Sequence, residues 1–207
     1  MIPRLCYITD GRRGTGGRPL AEVIQQAARG GVELVILRER TLPGGEYGAL
    51  IEALLPLREQ GLLLAISRRL DLARAYGLDG VHLAADAVPV REARAWLGPD
   101  ALIGYSAHSA PEARAARAEG ASYVTLSPIY PTSSKPGSPG RGRAWLAEST
   151  RGLGVPVLAL GGLTPARTHE VLEAGAWGIA AVAAIGAAAD VGQASREFRK
   201  ALLENTT

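Results

Sequence analysis

Short apolar runs and amphipathic, alanine-rich stretches alternate along the whole chain. Runs rich in Leu, Ile and Val at 5–9, 34–38, 62–66, 80–83, 102–106, 123–126, 155–160 and 178–182 predict strands. Between and after them, apolar positions recur at helical spacing. They predict helices over 19–29, 46–60, 70–76, 89–97, 111–119, 144–151, 165–174 and 191–203. Pro19 stands near the start of the first helix and Gly30-Gly31 stops it. The strands are nearly continuous in apolar character, as strands covered on both faces must be. Eight strand–helix units of about 26 residues, with none skipped and no linker between them, predict one domain over 1–207. That domain is a closed, parallel (β/α)8 barrel. The rival is an open doubly wound sheet. It lacks its phosphate turn here, because Gly11 and Gly14 after the first strand do not have the Gly-x-Gly-x-x-Gly spacing.

Composition narrows the function classes. The 207 residues are 47% hydrophobic and 21% charged, enough for a sizeable core and too apolar for a disordered chain. Cys6 is the single cysteine, which excludes an internal disulfide and a cysteine-built zinc site. The longest apolar run, 174–189, is mostly alanine and glycine. It is shorter than the roughly 20 apolar residues a membrane helix needs, so no membrane association is expected. Asp10 interrupts the start before an apolar signal core develops, and a cytoplasmic protein is the expectation. A net charge of +3 with scattered arginines speaks against nucleic acid. The basic residues are 21 arginines and two lysines, Lys135 and Lys200, so a lysine inside a glycine-rich loop stands out.

In a (β/α)8 barrel the site lies at the C-terminal ends of the strands, often with a phosphate beyond strands 7 and 8. Strand 7 runs into Gly161-Gly162, and strand 8 into Ala183-Ala184. Both turns are small enough for backbone N–H groups to approach an anion. The connection over 127–143 is far longer than an ordinary βα loop and reads as a lid. It holds Thr132, Ser133, Ser134, Ser138, Lys135, Arg141 and Arg143, a mixture of hydroxyls and cations suited to a phosphate or carboxylate. Arg38 and Arg40 share one face at the end of strand 2. An inward arginine there needs an anion or a rim carboxylate. Of the three histidines, His169 falls mid-helix on the surface. His82 ends strand 4, and His108 follows Ser106 of strand 5 on the same face.

Taken together, these segments resemble the thiamine-phosphate synthase/TenI family over essentially the whole chain. The resemblance rests on Tyr-Ile-Thr-Asp (7–10), Leu-Arg-Glu-Arg (37–40), Arg-Leu-Asp-Leu-Ala (69–73), Gly-Val-His-Leu (80–83) and Ile-Gly-Tyr-Ser-Ala-His-Ser (103–109). It continues through Tyr-Val-Thr-Leu-Ser-Pro-Ile-Tyr-Pro-Thr-Ser-Ser-Lys (123–135), Leu-Ala-Leu-Gly-Gly-Leu (158–163) and Gly-Ile-Ala-Ala-Val (178–182). It implies a barrel that handles thiazole phosphate in thiamine biosynthesis. The thiazole-phosphate side it implies is Ser106, Thr132, Ser134, Lys135, Gly161 and Gly162, with Ala183 replacing a serine. Where the synthase has two aspartates for Mg²⁺, this chain has Arg68 in the pair Ser67-Arg68 and Ala87 in Ala84-Ala85-Asp86-Ala87. The strand-2 pattern Gln-x-Arg-x-Lys is Ile36-x-Arg38-x-Arg40.

The resulting expectation is a TenI-like tautomerase that isomerises a carboxythiazole phosphate to its aromatic form. His108, with His82 second, is the proton carrier, Arg38 or Arg68 holds the substrate carboxylate, and Arg40 joins them among the substrate-binding residues. Pro128 occupies the position of the TenI histidine, which leaves two alternatives open. One is a thiamine-phosphate synthase with an altered metal site. The other is a non-catalytic thiazole- or thiamine-phosphate-binding regulator. No cofactor is expected, magnesium entering only for a synthase. The partner is a small phosphorylated thiazole, and a homodimer is compatible with a barrel of this size.

Overall fold

The computed structural model describes residues 2–11, 15–134 and 137–204. The eight apolar runs form strands β1 (Leu5–Ile8), β2 (Leu34–Leu37), β3 (Leu63–Ser67), β4 (Gly80–Leu83), β5 (Leu102–Ala107), β6 (Tyr123–Leu126), β7 (Val157–Leu160) and β8 (Gly178–Ala181). Each pairs in parallel with its sequence neighbours, and β8 closes on β1 through Ile179–Leu5, Ala180–Cys6 and Ala181–Tyr7. The single-domain (β/α)8 barrel expected from the alternation is therefore what the chain forms.

Side chains alternate between two faces along each strand. Cys6, Ile8, Leu34, Ile36, Ala65, Tyr123, Leu158 and Ala180 fill the barrel interior. Leu5, Tyr7, Val35, Leu37, Leu64, Ile66, Val124 and Leu126 join the larger layer beneath the helices. Each large aliphatic side chain so buried contributes about 1.5–3 kcal/mol, which explains strands apolar on both faces. Covering them are α1 (Leu20–Arg29), α2 (Gly44–Leu54), α3 (Leu70–Ala75), α4 (Val90–Leu97), α5 (Ala110–Ala118), α6 (Gly142–Thr150), α7 (Thr168–Glu173), α8 (Ala183–Gly186) and α9 (Val191–Leu203).

Three elements differ from expectation. The helix expected over 46–60 becomes α-helical only to Leu54 and continues as a 3₁₀ turn over Leu55–Gln60. Pro56 has no N–H for the i→i−4 bond, and its ring crowds the preceding turn. The helix expected over 165–174 begins as a 3₁₀ turn, Pro165–Arg167, before α7. The small residues after β8, expected as an open turn, form the four-residue α8. Among the described residues, no helix is long and apolar enough to cross a membrane.

Candidate active site

The strand C-terminal ends open into a cavity of about 590 Å³. Its walls include every described residue expected at the site: Arg38, Arg40, Arg68, His82, Ser106, His108, Thr132, Ser134, Gly161, Gly162, Ala183 and Ala184. Lys135 lies outside the described residues. His169 is exposed on α7 and meets Glu173 at 3.3 Å, as its helical position suggests.

One end of the cavity is made by the turns after β7 and β8. The first residues of a helix have no carbonyl one turn back, so the Ala183 and Ala184 amides lack an intrahelical acceptor. Val182 provides the first carbonyl of α8, accepting from Gly186 N at 2.9 Å. Gly161 and Gly162 have φ of 103° and 63°, backbone values that favour glycine. The sequence reading credited both glycines to the close approach of an anion. The structure assigns them a different neighbour. A Cβ on Gly161 would strike Pro128, and one on Gly162 would strike the Pro131 carbonyl and the Tyr130 side chain. The glycines thus let the root of the long loop lie on the β7 turn while the turn still lines the cavity.

That root is held from both sides. Ile129 N donates to Leu160 O and Tyr130 N to Gly161 O, both at 3.0 Å. Arg141 N donates to Pro128 O at 3.0 Å and Gly142 N to Ile129 O at 2.8 Å, closing the base of the loop. Arg167 lies over the Tyr130 ring at 4.4 Å and donates to Gly162 O at 2.8 Å, while Tyr130 Oη donates to Glu170 at 2.7 Å. Thr132, Ser133 and Ser134 project from this base to the cavity wall.

Cations line the opposite end. Arg38, just beyond β2, meets Asp10 at 3.4 Å, so the rim carboxylate it finds is an aspartate on the β1 side. Glu39 points the other way, accepting from Thr9 Oγ1 and from Gly11 N. Arg68 follows β3 with φ of 65°, the one non-glycine residue with positive φ among those described. Its N–H donates to His82 O at 3.1 Å, and its guanidinium forms two parallel 2.6 Å contacts with both carboxylate oxygens of Asp86. This contact holds the Asp86 carboxyl below its ordinary range. Arg40 is exposed, and its proton affinity is lowered first by Arg38, then by partial burial and by Arg68, so the three guanidinium groups feel one another.

A magnesium ion does not fit these residues. Asp86, the one carboxylate lining this cavity among the described residues, is engaged by Arg68 through both oxygens. Among the described residues, no group of three His, Cys, Asp or Glu is arranged to hold a metal.

The two histidines have different surroundings. His82 is buried, with Nδ1 3.2 Å from Tyr123 Oη and its ring stacked on Tyr123 at 5.7 Å. Gly104 on β5 makes this possible, because any Cβ there would enter both rings. The His82 pKa falls to about 4, first through burial and then through Arg38. Folded His82 therefore stays neutral down to about pH 4, whereas the unfolded chain protonates it below about 6.5. Its contribution to stability is complete above pH 6.5 and is lost as the pH falls towards 4. We expect the melting temperature of His82→Gln to fall less steeply over that interval than the parent's, as calorimetry at several pH values will check.

His108 stands beyond β5, half-buried. Its Nδ1 lies 3.1 Å from Ser127 O, a carbonyl that can only accept, so Nδ1 carries a proton and donates to it. The helix cap fixes the backbone beside it. Ser109 Oγ accepts from Glu112 N at 3.3 Å, and the Glu112 carboxylate accepts from His108 N at 2.9 Å. Sequence reasoning found the pocket-facing histidines and arginines but not Asp10, Ser127, Tyr123 or the Arg68–Asp86 pair. Strand alternation alone could have placed Tyr123 in the barrel interior.

Known proteins resemble this chain along nearly its whole length. A putative thiamine-phosphate synthase of Geobacter sulfurreducens is 42% identical over 95% of this chain and 92% of its own. A thiamine-phosphate synthase of Methanoculleus marisnigri is 41% identical over 94% and 93%. The solved thiamine phosphate pyrophosphorylase of Pyrococcus furiosus superposes with a TM-score of 0.88 at 31% identity, covering 99% of this chain and 97% of that one. The family model described as thiamine monophosphate synthase matches residues 5–185, and with these relatives it makes the chain a member of that family.

Proposed function

We propose that the protein is a thiamine-phosphate synthase that joins a hydroxymethylpyrimidine diphosphate to thiazole phosphate and releases diphosphate. The observation that carries this reading is a single cavity with two anion-seeking ends. Two N–H-bearing turns stand at one end and three arginines at the other. Thiazole phosphate takes the turns at Gly161–Gly162 and Ala183–Ala184, with Ser106, Thr132 and Ser134 around it. The diphosphate faces Arg38, Arg40 and Arg68. As the new carbon–nitrogen bond forms, the carbon–oxygen electron pair leaves with the diphosphate, and fixed guanidinium groups stabilise the charge it gains. The names borne by the relatives support this choice over the tautomerase expected from the sequence.

A tautomerase is the second reading, favoured by one observation. His108 lines the cavity, and with Nδ1 turned to the Ser127 carbonyl, Nε2 is the ring nitrogen left to exchange a proton. Purified protein separates the two. Diphosphate release from both substrates supports the synthase, and conversion of the non-aromatic carboxythiazole phosphate supports the tautomerase. For a synthase, His108→Asn is expected to leave diphosphate release within a few-fold of the parent. A loss of a hundredfold or more in isomerisation, with substrate binding retained, assigns His108 as the base of a tautomerase instead.

A further inference from the structure

The arginine end of the cavity has a charge balance that an anion alone can complete. Arg38, Arg40 and Arg68 present three guanidinium groups to it. Two carboxylates answer them. Asp10 meets Arg38 at 3.4 Å, a loose contact, and Asp86 meets Arg68 in a tight fork. Arg40 has no carboxylate within salt-bridge distance among the described residues. The balance is three positive charges against two, and one of the two acids is open to solvent: the Asp86 side chain is 66% exposed. A fork of this geometry matches a phosphoryl group as well as it matches a carboxylate.

The backbone supports a ligand role for Arg68. An arginine in the left-handed region costs roughly 1 kcal/mol or more relative to its ordinary conformations. Here that conformation follows β3 directly, with Ser67 in the strand and Leu70 opening α3. It turns a long cationic side chain into the cavity wall, where a residue continuing the strand or the helix would face elsewhere. Nothing in the packing demands an arginine there: its side chain is 33% exposed, and the one acid it reaches is the exposed Asp86.

We propose that Arg68, with Arg40 and Arg38, forms a diphosphate-binding site that works without a divalent cation, and that Asp86 is a placeholder displaced when the anion arrives. The reading above supplies the identity of the anion, and this inference rests on it in that respect. The positive charge that the family resemblance assigns to magnesium is here covalently part of the chain. A divalent ion would meet the guanidinium of Arg68 at close range and have no free carboxylate to pay for its lost water. Displacement of Asp86 by a diphosphate oxygen exchanges one charge-assisted fork for another of the same geometry, so Arg68 need not be re-aimed.

The probe is inorganic diphosphate, titrated calorimetrically into the full chain with chelator present and again with excess magnesium. Binding is expected in chelator, with an affinity that magnesium improves no more than about threefold. Arg68→Gly removes the cation and relaxes the backbone, so that variant should melt no lower than the parent while binding diphosphate at least tenfold more weakly. Arg68→Lys, which keeps the charge without the fork, should fall between them. Asp86→Asn should bind more tightly than the parent, because the competing charge is gone. Diphosphate binding that requires magnesium, or an Arg68→Gly affinity equal to the parent's, overturns the proposal. Magnesium-dependent turnover without metal-free diphosphate binding overturns this site and leaves the synthase reading standing. Metal-free binding lost in Arg68→Gly, in a protein that forms no thiamine phosphate, keeps the site and overturns the synthase.

Discussion

Gly162→Val is expected to weaken binding of thiazole phosphate at least a hundredfold, about 2.8 kcal/mol at tenfold per 1.4 kcal/mol. Two physical effects add. The backbone at Gly162 has φ of 63°, where a β-branched residue is a steric outlier. The new Cβ would also enter the Pro131 carbonyl and the Tyr130 side chain, so the loop root and the β7 turn cannot keep their present contact. Separating them disturbs the turn amides and carries Thr132 and Ser134 away from the cavity wall. Gly162→Ala meets the same neighbours with less bulk and should lose less. The measurement is calorimetric affinity for thiazole phosphate, alongside circular dichroism to show that the barrel persists. A folded Gly162→Val protein with the parent's affinity places the phosphate somewhere other than these turns.

Arg38→Met is expected to slow diphosphate release by two to three orders of magnitude while thiazole phosphate binds within a few-fold of the parent. Loss of one fixed donor to a charge that grows in the transition state costs about that much, and Met keeps much of the volume. Arg38 stands at the arginine end of the cavity, away from the turns assigned to the thiazole phosphate. A second readout is independent of turnover. Arg38 helps to depress the His82 pKa, so its removal should raise the pH at which His82 titrates, visible by NMR of the imidazole. Turnover within tenfold of the parent, with the His82 titration shifted upward, means that Arg38 shapes the field of the pocket without touching the leaving group.

The barrel was legible in the sequence because its cause is local and repeated. Each strand must be apolar on both faces and each helix on one, and eight such alternations leave few ways to bury the surface. The cavity-lining residues were legible for a related reason. Position at a strand's C-terminal end and parity along the strand together determine which side chains reach the mouth. Ser106 and His108 share a face by that rule, and both line the cavity. Element ends were less legible. Pro56 converted the end of a helix into a 3₁₀ turn, and the alanines after β8 wound into α8.

By itself the sequence determined the fold, the family resemblance, the face of the barrel on which the cavity opens, and the presence of Arg68 and Ala87 where that resemblance implies aspartates. Those follow from patterns read within one segment at a time. Only the tertiary structure decided who meets whom across segments far apart in the chain. Arg68 takes Asp86 from the next β-loop, Arg38 takes Asp10 from the first, and His82 takes Tyr123 from β6 through the space that Gly104 leaves. It also decided why Gly161 and Gly162 are glycines, since their Cβ directions point at the long loop, a contact no local pattern encodes. Periodicity specifies which way a side chain points; barrel closure specifies what it finds there.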